Sequence, residues 1–195
     1  MINYSVYSLG ALLQDEEFDN EKIQASLSRF RCEKEKDLEA FLHNNAIIYD
    51  NSNFGKTYLL VDNDKLEKEG VFEIIAFFTI GKTSVDISSL SQKQKRKLLG
   101  NVPGRDKLAT FPGYLIGQIG RCDAYTKEHL SGVTLLNECY SEIKKSIRVV
   151  GGKLIILECR PHMYEKFYQK VGFKPFLGID TKENLKTLYT TITLD

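Results

Sequence analysis

The sequence lacks the long apolar segments that a membrane protein needs. Within its 195 residues, no apolar run approaches the roughly 20 residues of a membrane-spanning helix. Residues 1–10 also lack the basic start and the extended apolar stretch of a secretory signal peptide. We therefore expect a cytoplasmic protein that does not bind membranes.

Cysteine and histidine are scarce, which argues against a metal site. The chain contains 4 Cys and 3 His, and no two cysteines form a CxxC pair. Cys159 with His162 is the only close pair of potential ligands, whereas a structural zinc site needs four. We expect no metal, and we interpret the cysteines as buried free thiols. They are Cys32, Cys122, Cys139 and Cys159.

A large net charge is also missing, but the charges are unevenly spread. The formal charge of +1 provides no strong overall field for nucleic acid. Residues 88–107 nevertheless contain six basic residues and one acidic residue, whereas residues 1–45 contain nine acidic and five basic residues. The basic segment is either solvated surface or the border of a site for an anionic ligand. Its cations are Lys93, Lys95, Arg96, Lys97, Arg105 and Lys107.

Hydrophobic periodicity predicts an α/β fold. Apolar residues recur at helical spacing over residues 36–45 and, most clearly, over residues 133–150, where Gly151 and Gly152 end the helix. Residues 71–80 are almost entirely apolar, as in a central strand covered on both faces. The pattern predicts helices on both faces of a mixed sheet, with a parallel pair in its second half and a last strand over residues 187–194. We expect a single domain over residues 1–195.

A phosphate site is predicted where a strand ending at Cys122 leads into a helix that begins near Leu130. The first turn of a helix carries N–H groups without intrahelical partners and the positive end of the helix dipole. Both features favour a bound phosphate. Gly132 lies in this first turn, where the absence of a side chain would allow a ligand to approach closely. A packing role for Gly132 is the alternative.

Three stretches of the sequence resemble the GNAT superfamily of N-acetyltransferases. YLIGQIGR at residues 114–121 resembles the fourth strand of the family, and FYQKVGF at residues 167–173 resembles the F-Y-x-x-x-G-F that ends its fourth helix. KEHLSG at residues 127–132 lies where the family has its pyrophosphate loop, Q/R-x-x-G-x-G/A. Gly132 fits that loop pattern, whereas Lys127 and Leu130 depart from it. The resemblance implies a GNAT-like α/β fold, mostly antiparallel with a splayed parallel pair, and acetyl-CoA as the acyl donor.

The same resemblance implies a direct transfer of the acetyl group to an amine. Tyr168 would protonate the leaving thiolate, and a purely structural position in the core is the alternative for this residue. The residues themselves favour Glu158 as the base, with Glu73 as a second candidate. His162 is interpreted as a surface or capping residue, and an acyl intermediate on Cys122 is disfavoured. The implied donor-binding residues are Ile119, Gly120, Arg121, Lys127, Leu130, Ser131, Gly132 and Val133.

The sequence leaves the acceptor open among a small-molecule amine, a protein amine and the α-amine of an aminoacyl-tRNA, as in GNAT toxins. The basic segment favours an anionic acceptor, whereas the near-neutral net charge argues against extensive contact with nucleic acid. A homodimer also remains open. A non-catalytic acyl-CoA-binding module that acts through protein interactions is the alternative from another class. Leu130 in the phosphate loop and the lack of an obvious base support it.

Overall fold

The fold alternates strands and helices along the chain. The computed structural model describes residues 2–180 and 184–193, without the side chains of residues 177–180. Its strands are β1 Tyr4–Ser8, β2 Gly55–Asp62, β3 Ile74–Asp86, β4 Thr110–Arg121, β5 Leu154–Cys159, β6 Lys174–Asp180 and β7 Lys186–Thr191. Its helices are α1 Leu9–Gln14, α2 Asn20–Arg29, α3 Lys36–Asn44, α4 Ala46–Asn51, α5 Asn63–Glu69, α6 Gln92–Leu99, α7 Gly132–Val150 and α8 Pro161–Met163. None of these helices is both long and apolar enough to cross a membrane.

The strands form one sheet in the order β1-β2-β3-β4-β5-β7-β6. The pairs β1/β2, β2/β3, β5/β7 and β6/β7 are antiparallel. β4 and β5 are neighbours that are joined through α7, and Gly113 near the start of β4 lies against Leu154 at the start of β5. Because the two strands begin at the same edge of the sheet, they run parallel. The predicted mixed α/β sheet is therefore confirmed.

Tertiary contacts divide the chain into two compact units. One unit, called the acidic unit below, comprises residues 1–81 and 116–143. Its core surrounds β3, where Phe77 is fully buried and contacts the rings of Phe30 and Phe41 at centroid distances of 5.2 and 6.2 Å. Residues 74–80 of β3 are buried on both faces, as predicted for a central strand. The prediction of a single domain over residues 1–195 stays a prediction.

The other unit, called the basic unit, comprises residues 82–115 and 144–195. Ile87, Leu99 and Leu154 are fully buried in its core, next to Phe176. α6 begins with a capping box, in which Ser91 accepts from the Gln94 N–H and the Gln94 side chain accepts from the Ser91 N–H.

Two cations of the predicted basic segment are structural. Lys95 is only 6% exposed, and its Nζ donates to the carbonyls of Leu108 at 2.6 Å and Asp106 at 3.4 Å. Arg105 donates from Nη1 to the Gly100 carbonyl at 3.1 Å. Reading all six cations as solvated surface is therefore wrong. Lys93, Arg96, Lys97 and Lys107 are the exposed ones.

Acidic and basic residues are segregated between the two units. The acidic unit has 19 Asp and Glu against 10 Lys and Arg, a formal charge of −9. The basic unit has 17 Lys and Arg against 7 Asp and Glu, a formal charge of +10. The net charge of +1 is thus the balance of two large opposite charges. Electrostatic attraction would direct a polyanion to the basic unit.

Several predicted boundaries differ from the observed ones. β3 begins at Ile74 instead of residue 71, and Glu73 lies before the strand, where its carboxylate pairs with Lys65 Nζ at 3.6 Å. The short helices α1, α4 and α5 were not predicted. The predicted last strand extended to Leu194, which lies outside the described residues, whereas β7 ends at Thr191.

We expect Lys95→Met to destabilise the protein by about 1–3 kcal/mol. The substitution keeps most of the buried aliphatic stem but leaves the carbonyls of Asp106 and Leu108 without their charged donor. Urea denaturation measures the change in the free energy of unfolding. Lys93→Met is the matched control on the same helix, and its exposed side chain predicts a change below about 0.5 kcal/mol. Equal changes in the two variants would contradict the structural role of Lys95.

Candidate active site

The segment that connects β4 to α7, residues 122–131, is fixed at its start by backbone hydrogen bonds. The Cys122 N–H donates to the Ile75 carbonyl at 2.8 Å, and the Asp123 N–H donates to the Arg31 carbonyl at 2.9 Å. The Asp123 carboxylate in turn accepts from the Glu33 N–H at 2.6 Å. The connection therefore leaves the sheet along a defined path.

Arg121, the last residue of β4, spans this connection with its side chain. Its Nε donates to the Tyr125 carbonyl at 2.9 Å, and its Nη1 donates to the Leu130 carbonyl at 2.7 Å. The side chain is half-buried, so both hydrogen bonds are partly shielded from water. The family resemblance implied that Arg121 takes part in binding the acyl donor, and nothing in the sequence indicated this side-chain contact.

Tyr125 provides a second anchor for the same connection. Its buried hydroxyl donates to Asp62 Oδ2 at 3.1 Å, while Asp62 Oδ1 caps α5 by accepting from the Lys65 N–H at 3.2 Å. Burial, and then the negative charge of Asp62, raise the pKa of Tyr125. The phenol therefore stays protonated at neutral pH and can act as a hydrogen-bond donor.

At the start of α7, the structure leaves one residue fewer to bind a phosphate than the sequence predicts. The side chain of Leu130 is buried, and its N–H donates to the Thr126 carbonyl at 3.1 Å. Ser131 is the N-cap of α7, because its Oγ accepts from the Thr134 N–H at 3.0 Å. Within the described part of the chain, the N–H groups of Ser131, Gly132 and Val133 have no protein acceptor. These three donors lie at the positive end of a 19-residue helix and can bind an anion.

The glycines of β4 have packing explanations within the acidic unit. A Cβ on Gly120 would lie 2.7 Å from the Leu38 side chain of α3, so close packing of α3 favours glycine there. A Cβ on Gly117 would lie 3.0 Å from Thr79 Oγ1, which accepts from the Gln118 N–H at 2.8 Å. The Thr79 hydroxyl thus accepts from a main-chain N–H of β4.

Two further predicted donor-binding residues have unremarkable surroundings. Ile119 is half-buried next to Gly120. Lys127 is strongly exposed on the loop, where its Nζ lies 3.9 Å from the Glu128 carboxylate. The position that the family pattern assigns to a side-chain donor is therefore held by a solvated lysine that has no buried partner among the described residues.

In the basic unit, Tyr168 lies at the end of a π-helical turn. α8 continues into this turn over Tyr164–Tyr168, and the Gln169 N–H donates to the Tyr164 carbonyl at 2.8 Å. Tyr168 is 7% exposed, and its ring contacts Phe167 and Phe173 at centroid distances of 5.1 and 5.5 Å. The helix that begins at Pro161 therefore changes from α-helical to π-helical geometry before it ends. π-helical turns are rare and occur frequently at functional sites.

The two candidate bases have different surroundings. Glu158 is exposed on β5, and its carboxylate accepts from the Thr187 hydroxyl at 3.2 Å across the β5/β7 pair. Glu73 is partly buried and paired with Lys65, so its carboxylate already has a cationic partner. His162 is exposed at the start of α8.

The cysteines are free and buried, as predicted. Burial raises the pKa of Cys159 to about 11, an effect that nearby Lys186 partly offsets. Burial also raises the pKa of Cys139 strongly. Such thiols stay protonated at neutral pH and are poor nucleophiles. Among the described residues, no group of three or more His, Cys, Asp or Glu side chains could hold a metal ion.

The sequence matches no protein-family model and no curated protein. The fold, however, is similar to several solved structures. AtaT complexed with acetyl-methionyl-tRNAfMet has 18% identity and a TM-score of 0.68, over 95% of this chain and 94% of that one. AtaTR bound with acetyl-CoA has 18% identity and a TM-score of 0.67, over 97% and 94%. A tyrosine-to-phenylalanine variant of KacT has 15% identity and a TM-score of 0.69, over 96% and 94%.

These similarities extend over nearly the whole of each chain. At this level of identity they show a shared fold, so the predicted GNAT-like α/β fold is confirmed.

Proposed function

We propose that the protein is an acetyl-CoA-dependent N-acetyltransferase whose acceptor is the α-amine of an aminoacyl-tRNA. The observation that carries the acetyl-CoA part is the set of three unpartnered N–H groups at Ser131, Gly132 and Val133. The observation that favours a nucleic-acid acceptor is the charge of +10 on the basic unit.

The start of α7 suits the pyrophosphate of acetyl-CoA. The three N–H groups supply donors without any side-chain charge, and the helix dipole favours the anion. Leu130 replaces a glycine of the family pattern without blocking these donors, because its side chain is turned into the core. The Leu130 N–H itself is not available to a ligand, because it donates to the Thr126 carbonyl.

Tyr168 and Glu158 would carry the proton transfers. An α-amine has a pKa of about 7.7–8.0 and is therefore mostly protonated at neutral pH, so a base must remove a proton before the amine attacks the thioester. Glu158, exposed on β5, would accept that proton directly or through water. Main-chain N–H groups around Ile119, Gly120 and Arg121 would stabilise the negative charge that develops on the carbonyl oxygen. As the C–S bond of the tetrahedral intermediate breaks, Tyr168 would donate its proton to the departing sulfur. The second proton that the attacking nitrogen must lose would then return to Tyr168 or pass to water.

The acceptor is proposed from charge and from what the compared proteins bind. AtaT has been solved with acetyl-methionyl-tRNAfMet, a product of acetyl transfer to an aminoacyl-tRNA. In this chain, Lys93, Arg96 and Lys97 are exposed on α6 of the basic unit and are free to contact phosphates. The near-neutral net charge does not argue against tRNA once the charges are counted for each unit.

We expect Gly132→Asp to abolish acetyl-CoA binding. A carboxylate in the first turn of α7 repels the pyrophosphate, yet it favours the helix itself because acidic groups stabilise helix N-termini. Thermal unfolding with and without acetyl-CoA measures the effect, since a ligand that binds the folded state raises its apparent stability. Gly132→Ala adds bulk without charge and is the control. A wild-type protein that millimolar acetyl-CoA does not stabilise would contradict the proposed function.

Replacing Lys93, Arg96 and Lys97 together by Gln should raise KM for aminoacyl-tRNA by roughly 10- to 100-fold at low salt. The effect should shrink as salt rises, and KM for acetyl-CoA should not change. The control replaces Lys144, Lys145 and Arg148, which are basic residues of the same unit, and so removes the same charge. Equal losses in the two variants would indicate a general field instead of contacts on α6. Unchanged tRNA kinetics in the α6 variant would exclude α6 as the acceptor surface.

Tyr168→Phe should lower kcat by roughly 10²–10⁴-fold, the usual contribution of one general acid. The phenylalanine ring retains the packing against Phe167 and Phe173, so the melting temperature and the affinity for acetyl-CoA should change little. Single-turnover transfer of a labelled acetyl group to aminoacyl-tRNA measures the chemical step.

Tyr164→Phe is the matched control for this experiment. It lies in the same π-helical turn, is half-buried, and contacts Lys186 Nζ through its ring at 5.2 Å. Its kcat should remain within about twofold of wild type. Wild-type turnover in Tyr168→Phe would remove Tyr168 from the mechanism. A wild-type protein that binds acetyl-CoA but acetylates neither aminoacyl-tRNA nor a panel of amines would favour the non-catalytic binding module.

A further inference from the structure

The orientation of the Ser131 N–H is set by the carbonyl that precedes it. The Leu130 C=O and the Ser131 N–H belong to one peptide unit, which is planar and trans, so the two groups point in opposite directions. Arg121 Nη1 holds the Leu130 carbonyl at 2.7 Å. The Ser131 N–H is therefore directed away from the Arg121 guanidinium, at the start of α7.

The guanidinium itself is held in place from its other side. Its Nε donates to the Tyr125 carbonyl at 2.9 Å, and the side chain of Tyr125 is tied to Asp62. A guanidinium presents its donors in a rigid planar fork, so fixing one donor fixes the direction of the other. The Arg121 side chain therefore fixes the carbonyls at both ends of the segment 125–130.

We propose that Arg121 is a positioning residue for the pyrophosphate of acetyl-CoA and acts through the Leu130–Ser131 peptide. This inference rests on the proposed function. Two donors of the guanidinium already bond to main-chain carbonyls, and these bonds aim the Ser131 N–H. Loss of the fork would free the peptide to rotate, and the anion site would lose its preorganised first donor.

The experiment compares two acyl donors that differ in the pyrophosphate. Arg121→Met removes both hydrogen bonds and keeps much of the aliphatic stem, whereas Arg121→Lys keeps the charge without the fork. Arg148→Met, an exposed arginine near the end of α7, is the control for loss of one positive charge. Binding of acetyl-CoA and of S-acetylpantetheine, which lacks the pyrophosphate, is measured by calorimetry or by ligand-observed NMR.

We expect Arg121→Met to weaken acetyl-CoA binding by about 10- to 100-fold, the usual effect of losing one or two hydrogen bonds to a charged group. Arg121→Lys should lie between Arg121→Met and wild type. Binding of S-acetylpantetheine should stay within about twofold in every variant, and Arg148→Met should behave as wild type. In the ligand-free protein, the backbone amide signals of residues 131–133 should shift or broaden in Arg121→Lys.

Three results would overturn the inference. Wild-type affinity in Arg121→Met would show that the fork is dispensable, and wild-type affinity in Arg121→Lys would show that charge alone suffices. An equal loss of affinity for acetyl-CoA and for S-acetylpantetheine would indicate general damage to the fold. If the wild-type protein itself fails to bind acetyl-CoA, the proposed function falls and this inference falls with it, a result that is distinguishable because it needs no variant. If Arg121→Met does not fold, Arg121→Lys and the amide signals decide the question.

Discussion

The need to pair backbone polar groups that leave water is the constraint on which this structure depends. In this chain, basic side chains satisfy this constraint for several main-chain carbonyls by donating hydrogen bonds to them. Arg121 bonds to the carbonyls of Tyr125 and Leu130, Lys95 to those of Asp106 and Leu108, and Lys153 to that of Leu99. Arg121 thus holds the connection between β4 and α7, Lys95 holds the segment that follows α6, and Lys153 bonds to the last carbonyl of α6. The donors at the start of α7 are the contrasting case, since three of them have no protein acceptor among the described residues.

The same constraint separates basic residues that shape the fold from those that can act on a ligand. The side chains of Lys95 and Arg105 donate hydrogen bonds to main-chain carbonyls that follow α6. Lys93, Arg96 and Lys97, which lie on α6, remain exposed. A cluster of cations in a sequence therefore overstates the charge that a partner can contact. The proposed interaction with tRNA depends on the exposed subset, reinforced by the excess of basic residues throughout the unit.

The sequence is sufficient to predict elements with a repeating apolar pattern and segments that match a family motif. α3 and α7 have several turns with an apolar stripe, and F-Y-x-x-x-G-F is specific enough to indicate the family's fold. α1, α4 and α5 have six or seven residues each, too few to establish a helical period. The S-x-x-T cap of α7 could have been read from Ser131 and Thr134. The roles of Lys95 and Arg121 could not be predicted from the sequence. Each side chain bonds to carbonyls of a loop that follows it in the chain, and the path of that loop is not encoded in a local pattern.

The opposite charges of the two units have a consequence for the behaviour of the protein in solution. An isoelectric point of about 7.6 is that of a protein with weak affinity for either type of ion-exchange resin near neutral pH. A resin does not respond to the average charge, however, but to the surface that touches it. With formal charges of −9 and +10 on its two units, this protein has a region suited to each resin. Its chromatography at low ionic strength should therefore resemble that of a strongly charged protein of either sign.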